Sequence, residues 1–514
     1  MAKINYKKPI NYPLFAVASI IFVLMISFLD LVPENPTVSL TAAIACYMAI
    51  LWVTESIPIG LTSLLPLILF PALGVMNGKA VSNAYINYVI FLFIGGFFMA
   101  LAMEKWGLHQ RIALKILSWL GGSPIKILIG FMLASAFLSM WMSNTATAMM
   151  MLPIIFSVTT ALEDIHGHEK IGKFSIAILL GVAYSCSIGG IATLVGTPPN
   201  LSFVRILQII YPNSPDISFG EWFIYAFPIS MVMFILILAT LYFLFPVGKE
   251  ISIESKAFFK EKYRALGPTS SEQKRVFLLF LVLVFMWVFR KTLHIGDFSI
   301  PGWSGVMPVP KYINDGSIAI FVATLLFLVP RSKSYSDEGL VTWEIVTKIP
   351  WGIVFLFGGG FALAKGFIDS GLSGYIGRQL VAAGNLSSTG LVFTVATIMT
   401  FLTEFTSNTA TTEMMLPIVA ALCNEIQIHP LFLMIPVTLA ASMAFMFPVA
   451  TPPNAVIFGS GKLNMLDMVK AGFIINILGI ITLVLVFTIW GAVIFNIDPN
   501  VMPTWANGAG LSGN

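Results

Sequence analysis

Two copies of the pentapeptide Ser-Asn-Thr-Ala-Thr stand in strongly apolar surroundings, at Ser143–Thr147 and, 264 residues later, at Ser407–Thr411. Their side chains carry no charge, but hydroxyl and amide oxygens can coordinate a cation, and O–H and N–H groups can donate to a carboxylate. A second pair, Thr197-Pro198-Pro199-Asn200 and Thr451-Pro452-Pro453-Asn454, recurs at an interval of 254 residues. Threonine followed by proline reads as a helix N-cap with proline in the first turn, and Gly196 just before it reads as the left-handed end of a preceding helix. Ala450 takes the glycine's place in the second copy. A helix that stops presents unpaired carbonyls that suit a hard cation; one that starts presents N–H groups and the positive dipole end that suit an anion. The chemistry is therefore reversible binding of cation and anion together.

These motifs belong to a longer duplication. The 264-residue interval also superimposes Phe91–Ala102 on Phe355–Gly366, Gly107-Leu108 on Gly371-Leu372, and Met151–Ile154 on Met415–Ile418. The shorter interval of the second pair implies that the second copy lacks ten residues, from the polar segment between Glu163 and Lys173. Polar clusters kept in both halves of an apolar chain point to a binding site shared between repeats.

With 57% hydrophobic and 10% charged residues over 514, and a mean hydropathy of +0.90, the apolar surface exceeds what a water-soluble core could hide. The chain reads as an all-α polytopic membrane protein. Spans are expected near 13–31, 39–55, 57–75, 84–104, 174–212 (broken), 223–247, 276–291, 315–330, 350–368, 430–458 (broken) and 470–496. The stretches 123–162 and 387–426, interrupted at Ser-Asn-Thr, suit re-entrant hairpins with the motif at the tip. About eleven spans and two hairpins result. The first stretch is too long for a signal h-region and reads as a retained helix. Lys3, Lys7 and Lys8 precede it, and 248–275 holds seven Lys/Arg, whereas none follows Lys470. This places the amino terminus and that connection in the cytoplasm of a multi-pass plasma-membrane protein, with the carboxyl terminus external. The span at 84–104 then runs inward and its copy at 350–368 outward, an inverted repeat. Segments 106–120 and 367–383 read as interfacial arms or as ordinary polar loops. The three cysteines, Cys46, Cys186 and Cys423, are too scattered for a disulfide framework, and the dispersed net charge of +4 offers nothing to nucleic acid.

The paired Ser-Asn-Thr and Thr-Pro-Pro-Asn motifs, and nearly the whole chain, resemble the divalent anion/sodium symporter family of dicarboxylate and citrate transporters. The resemblance implies an elevator-type homodimer in the lipid bilayer, with scaffold parts at 1–120 and 276–385, transport parts at 121–247 and 386–514, and the cytoplasmic connection 248–275 between halves. It implies one sodium site at Ser139, Ser143, Asn144 and Gly196, and another at Thr403, Thr406, Asn408 and Ala450, with Thr406 and Ala450 acting through backbone carbonyls. The substrate carboxylates would meet Asn144, Thr145, Thr197, Pro198, Asn408, Thr409, Thr451 and Pro452, with Ser143 and Ser407 close by. The implied function is symport of sodium, the coupling ion, with C4-dicarboxylates such as succinate, malate or fumarate. A sodium-independent dicarboxylate exchanger and a citrate carrier are the alternatives.

No Lys or Arg occurs within the motifs, so charge compensation for a dianion must come from cations and dipoles. One departure from the repeat is Glu413, where the first copy has Met149. It could pair with Lys365, hold a proton, or contribute to cation linkage. Glu404 and Glu55 are also acids at membrane depth, with structural roles expected near the cavity. An enzyme would need a nucleophile with its base, or a metal-ligand cluster, and the sequence offers neither. His166 and His168 lack further ligands at suitable spacing, and Gly358-Gly359-Gly360 suits close helix packing better than a phosphate loop.

Overall fold

The computed structural model describes residues 10–120, 122–246, 255–295, 298–332, 335–381, 387–495 and 497–506. Lys3, Lys7 and Lys8 lie outside the described residues, as do the start of the 248–275 connection, Ala383 of the second arm, and the side chains of His166 and His168.

The described residues fold into helices, with two short hairpins among them. The first half begins with α1 (Tyr12–Phe28), α2 (Pro36–Thr54), α3 (Ile59–Thr62), α4 (Pro66–Ala72), α5 (Gly78–Tyr85) and α6 (Tyr88–Lys105). There follow α7 (Leu108–Leu120), α8 (Pro124–Ser139), α9 (Asn144–His166), α10 (His168–Ile191), α11 (Pro198–Ile210) and α12 (Phe219–Leu244). After α13 (Ser255–Ala265), the second half runs through α14 (Ser271–Val288), α15 (Asp315–Leu328), α16 (Trp351–Asp369), α17 (Leu372–Val381), α18 (Ser388–Thr403) and α19 (Asn408–Ile426). It closes with α20 (Pro430–Ala440), α21 (Pro452–Phe458), α22 (Met465–Val486) and α23 (Ala492–Ile494). Seven helical stretches among the described residues are long and apolar enough to cross a bilayer, and shorter apolar helices, including α1, α8, α15, α18 and α20, accompany them.

The duplication is visible element by element. Helices α6 to α11 and α16 to α21 follow the same order, and the chain breaks at matching places: between α8 and α9, α18 and α19, α10 and α11, and α20 and α21. Pro153 in α9 and Pro417 in α19, one duplication interval apart, sit inside their helices at the same point.

One expected span needs correction, one open alternative closes, and two strand pairs are new. The span at 57–75 is two short helices, α3 and α4, because Pro66 starts a new helix and Pro71 removes another backbone donor. The segments after α6 and α16 are helices, not loops: α7 buries Leu108, Ala113, Leu114 and Leu117 against α8 and α13 while Trp119 stays exposed. Arg111 on its buried face donates to the carbonyls of Leu266, Gly267 and Pro268 at 3.1–3.4 Å, so this arm ties down the connection between halves. The antiparallel hairpins β1 (Leu293–Ile295) with β2 (Phe298–Ile300) and β3 (Pro330–Ser332) with β4 (Tyr335–Gly339) have strands of only 3 to 5 residues, too short to show an alternating pattern in the sequence.

Glycines set the closest approaches. A β-carbon at Gly358 would overlap the Tyr85 ring, and one at Gly359 would lie 2.5 Å from the Ser63 carbonyl, so the triple glycine of α16 serves helix packing.

Candidate functional site

Each motif starts a helix. Ser143, Thr197, Ser407 and Thr451 are the N-cap residues of α9, α11, α19 and α21, and Asn144, Pro198, Asn408 and Pro452 are the first helical residues. The four helices interlock across the duplication, with α9 packed on α21 and α11 on α19. The hydroxyl groups of Thr197 and Ser442, from the two breaks, lie 3.4 Å apart. Thr451 accepts from Asn454 N at 3.3 Å, but Ser143, Thr197 and Ser407 make no cap bond to their own helices. The hydroxyls of Ser143 and Ser407 and the first-turn N–H groups of α9 and α19 thus remain available to a ligand, whereas Pro198 and Pro199 give α11 no free N–H there and the Thr197 hydroxyl meets Ser442; the positive dipole ends favour an anion.

The first candidate cation site is built around Asn144. Its amide contacts the hydroxyl of Ser139, the last residue of α8, and lies 3.2 Å from the Cys186 carbonyl and 3.3 Å from the Gly196 carbonyl. With the nitrogen turned toward them, the amide donates to these acceptors. With the oxygen turned toward them, only oxygens face one another, a donor set that suits a hard cation. Gly196 does not adopt the expected left-handed conformation. Its lack of a side chain is needed because a β-carbon would lie 2.6 Å from the Gly190 carbonyl and 3.0 Å from that of Ser139.

The second site repeats the first with different means. Thr403 closes α18 as Ser139 closes α8; its hydroxyl donates to Asn408 Oδ1 at 2.7 Å and lies 2.9 Å from the Ala441 carbonyl. The Thr406 hydroxyl is engaged by the Leu402 carbonyl at 2.9 Å and Thr411 Oγ1 at 2.5 Å, which leaves its backbone for a ligand. Ala450 is buried just before Thr451, while Pro452 is exposed. Thr409 is buried; Ser143, Asn144, Thr145, Pro198, Ser407 and Asn408 are partly exposed. No bond among the described residues joins Asn144 to Asn408 directly.

Three residues position the breaks; two of them were missed as such, and the third was expected only in a structural role near the cavity. Asn200 Nδ2 donates to the carbonyls of Gly190, Ile191 and Thr193, and Asn454 Nδ2 to those of Ala444 and Phe447, so the last residue of each Thr-Pro-Pro-Asn staples its own break. Both Asn side chains leave Oδ1 without a partner. Glu404 is the third. Its fully buried carboxylate accepts from the N–H groups of Phe445, Met446 and Phe447 at 2.7–3.1 Å and from Asn476 Nδ2 at 2.7 Å, replacing the helix bonds lost where α20 ends. The doubled Asn could have been found from the repeat; Glu404 stands out only as an acid at membrane depth, because Met140 occupies its place in the first copy.

Glu413 does not pair with Lys365, which bonds Asp369 at 3.1 Å one turn along α16. Glu413 is fully buried and contacts Ser202 of α11. Glu55 ends α2 in a left-handed conformation and is partly exposed.

Comparisons with known proteins agree with this architecture. A family model for the sodium:sulfate symporter transmembrane region matches residues 7–497. A sodium-dependent dicarboxylate transporter, SdcS, of Staphylococcus saprophyticus is 41% identical over 86% of this chain and 84% of its own length. The Na(+)/citrate cotransporter of Rattus norvegicus is 37% identical over 94% of this chain and 95% of its own. Among solved structures, Neisseria gonorrhoeae MtrF, described as one of a class of antimetabolite efflux pumps, aligns with a TM-score of 0.52 at 12% identity, covering 79% of this chain and 81% of that one, a likeness of fold alone. With that match across nearly its full length, the chain belongs to the divalent anion/sodium symporter family and is a multi-pass membrane transporter, not an enzyme.

Proposed function

We propose that this protein carries C4-dicarboxylates such as succinate, malate and fumarate into the cell together with sodium. The observation that carries the reading is the set of four helix starts, on helices that pack α9 against α21 and α11 against α19, with the Ser143 and Ser407 hydroxyls uncommitted, flanked by oxygen-rich breaks and without a cationic side chain in the motifs. A dianion at such a site needs compensating positive charge, and helix dipoles alone supply only part of it. Sodium ions held by Ser139, Ser143, Asn144 and Gly196, and by Thr403, Thr406, Asn408 and Ala450, supply the rest. The carboxylates then rest on Ser143, Asn144, Thr145, Thr197 and Pro198 from one half and Ser407, Asn408, Thr409, Thr451 and Pro452 from the other. Similarity to relatives named sodium-dependent dicarboxylate transporters and a Na(+)/citrate cotransporter supports sodium coupling.

In this reading, α8 to α12 and α18 to α22 form a transport block that slides against a scaffold of α1 to α6 and α14 to α16, within a homodimer. The ion pair of Lys462 with Glu163 at 2.9 Å, which ties the loop after α21 to α9, supports treating those elements as one block.

The test is uptake of labelled succinate by proteoliposomes under a sodium gradient, then with choline replacing sodium, with unlabelled citrate, fumarate and sulfate as competitors. Uptake that needs sodium and is displaced by fumarate more effectively than by citrate or sulfate is expected. Undiminished succinate exchange without sodium would overturn symport in favour of an exchanger, and stronger displacement by citrate would move the substrate to tricarboxylates.

A further inference from the structure

Glu413 is the acid that the proposed mechanism does not use, and its surroundings are unlike those of Glu404. Glu404 has a donor for each oxygen, whereas Glu413 has one, Ser202 Oγ at 2.5 Å from Oε1. Its second oxygen, Oε2, is buried without a partner. On the far side lies Gly360 of α16, where a β-carbon would overlap the carboxyl, so the slot is shaped around this side chain.

The charged and titratable groups on the neighbouring elements do not reach it. On α11, the Arg205 guanidinium lies beside Tyr88. On α16, Lys365 and Asp369 pair with each other. Helix α17 carries Tyr375 and Arg378, and α2 carries Cys46 and Tyr47, whose hydroxyl bonds Ser19. Helices α18 and α20 carry no charged residue. Among the described residues the sole bonding partner of Glu413 is a neutral hydroxyl. An ionised carboxylate so placed would be desolvated with one hydrogen bond to offset it, whereas the protonated acid fits at little cost.

We propose that Glu413 is a proton-binding site of the transport block, obligatorily protonated while it occupies the Gly360 slot. This rests on the two-block reading, because α11 and α19 belong to the moving part and α16 to the scaffold. When α19 slides away from α16 and water reaches the carboxyl, its O–H bond breaks and the proton passes to water as hydronium. The reverse transfer must precede return to the slot. Transport therefore slows on the alkaline side as the fraction of protonated Glu413 falls.

Two measurements on the full-length protein test this. In the first, infrared difference spectra of purified wild type against Glu413→Gln at neutral pH should show the carbonyl stretch of one protonated carboxylic acid missing from the variant. Identical spectra in that region would overturn the proposal, and the reading does not depend on which substrate is carried. In the second, sodium-driven succinate uptake by wild type should fall by up to about tenfold per pH unit on the alkaline limb, while Glu413→Gln, a permanently neutral isostere, remains active with that limb flattened. Coincident pH profiles of two active proteins would also overturn it. Failure of succinate uptake in both proteins, with the infrared difference present, would count against the substrate assignment and leave the proton site standing.

Discussion

Gly196 and Ala450 occupy matching places before the two broken-helix restarts, yet the structure treats them differently. At Gly196 an added methyl would press on the carbonyls of Gly190 and Ser139, and the Gly196 carbonyl itself lies 3.3 Å from the Asn144 amide, whereas Ala450 already carries a methyl. Gly196→Ala should lower sodium-driven uptake by about tenfold or more, since small misplacements of binding groups are amplified in function. Ala450→Gly should leave uptake within about twofold of wild type, as it adds only backbone freedom. Sodium titrations of uptake check both, and equal effects would mean that crowding at Gly196 is unimportant. The proposed site residues stand out in the sequence because duplication in register marks them; the conformation of Gly196 does not, because a glycine before a helix restart is compatible with either a left-handed turn or close approach.

At the scale of elements, the second break depends on a carboxylate that a repeat comparison cannot reveal. Glu404 gathers three backbone N–H groups and the Asn476 amide. Glu404→Gln keeps the shape but sets an N–H₂ among donors, and should destabilise the fold by about 1–3 kcal/mol. Thermal unfolding in detergent reads this as a lowered midpoint, and no change would show that the break is held by other contacts. His429, at the start of α20, offers a titration. Burial lowers its pKa to about 4 from 6.5, with Asp498 opposing, and its ring meets Trp505 edge-on. The unfolded chain binds this proton more readily, so stability conferred by the neutral ring is present above pH 6.5 and is lost as pH falls toward about 4. His429→Phe, which keeps the ring, should flatten that part of the thermal midpoint's pH dependence; an unchanged profile would remove His429 from the account. Broken helices were readable from Thr-Pro pairs. The split of 57–75 into α3 and α4 was masked by unbroken hydropathy, and the arm helix α7 by its mixture of apolar and basic residues that fits a loop equally well.

For the molecule as a whole, a charge cluster outside the motifs joins the halves. Arg290 bonds Asp315 at 2.5 Å and Asp216 at 3.0 Å, Lys291 bonds Asp216 at 2.9 Å, and Asp315 also accepts from Phe219 N at 2.9 Å. Burial pushes the Asp216 carboxyl up, but Lys291 and Arg290 beside it hold it below the usual carboxylate range. The cluster fastens the start of α12, in the proposed transport block, to the end of α14 and the start of α15, in the proposed scaffold, so it must release when the blocks slide. Asp315→Ala leaves Arg290 buried without its closest partner and should cost about 3–5 kcal/mol, seen as a large drop in thermal midpoint. A drop indistinguishable from that of an exposed pair such as Arg331 with Glu338 would contradict it. Nothing in the sequence joined these residues, which lie in the α11–α12 connection, just after α14 and at the start of α15; only the folded chain brings them together.

The central claim is that a dianion and sodium share one chamber made of helix ends from both halves. Calorimetric titration of succinate into the purified protein tests it most directly, with sodium and then with choline in its place, for wild type, Asn144→Ala and Asn408→Ala. The account predicts saturable binding that requires sodium and disappears in both variants while each remains folded. Succinate binding that persists without sodium, or survives in either variant, would contradict it.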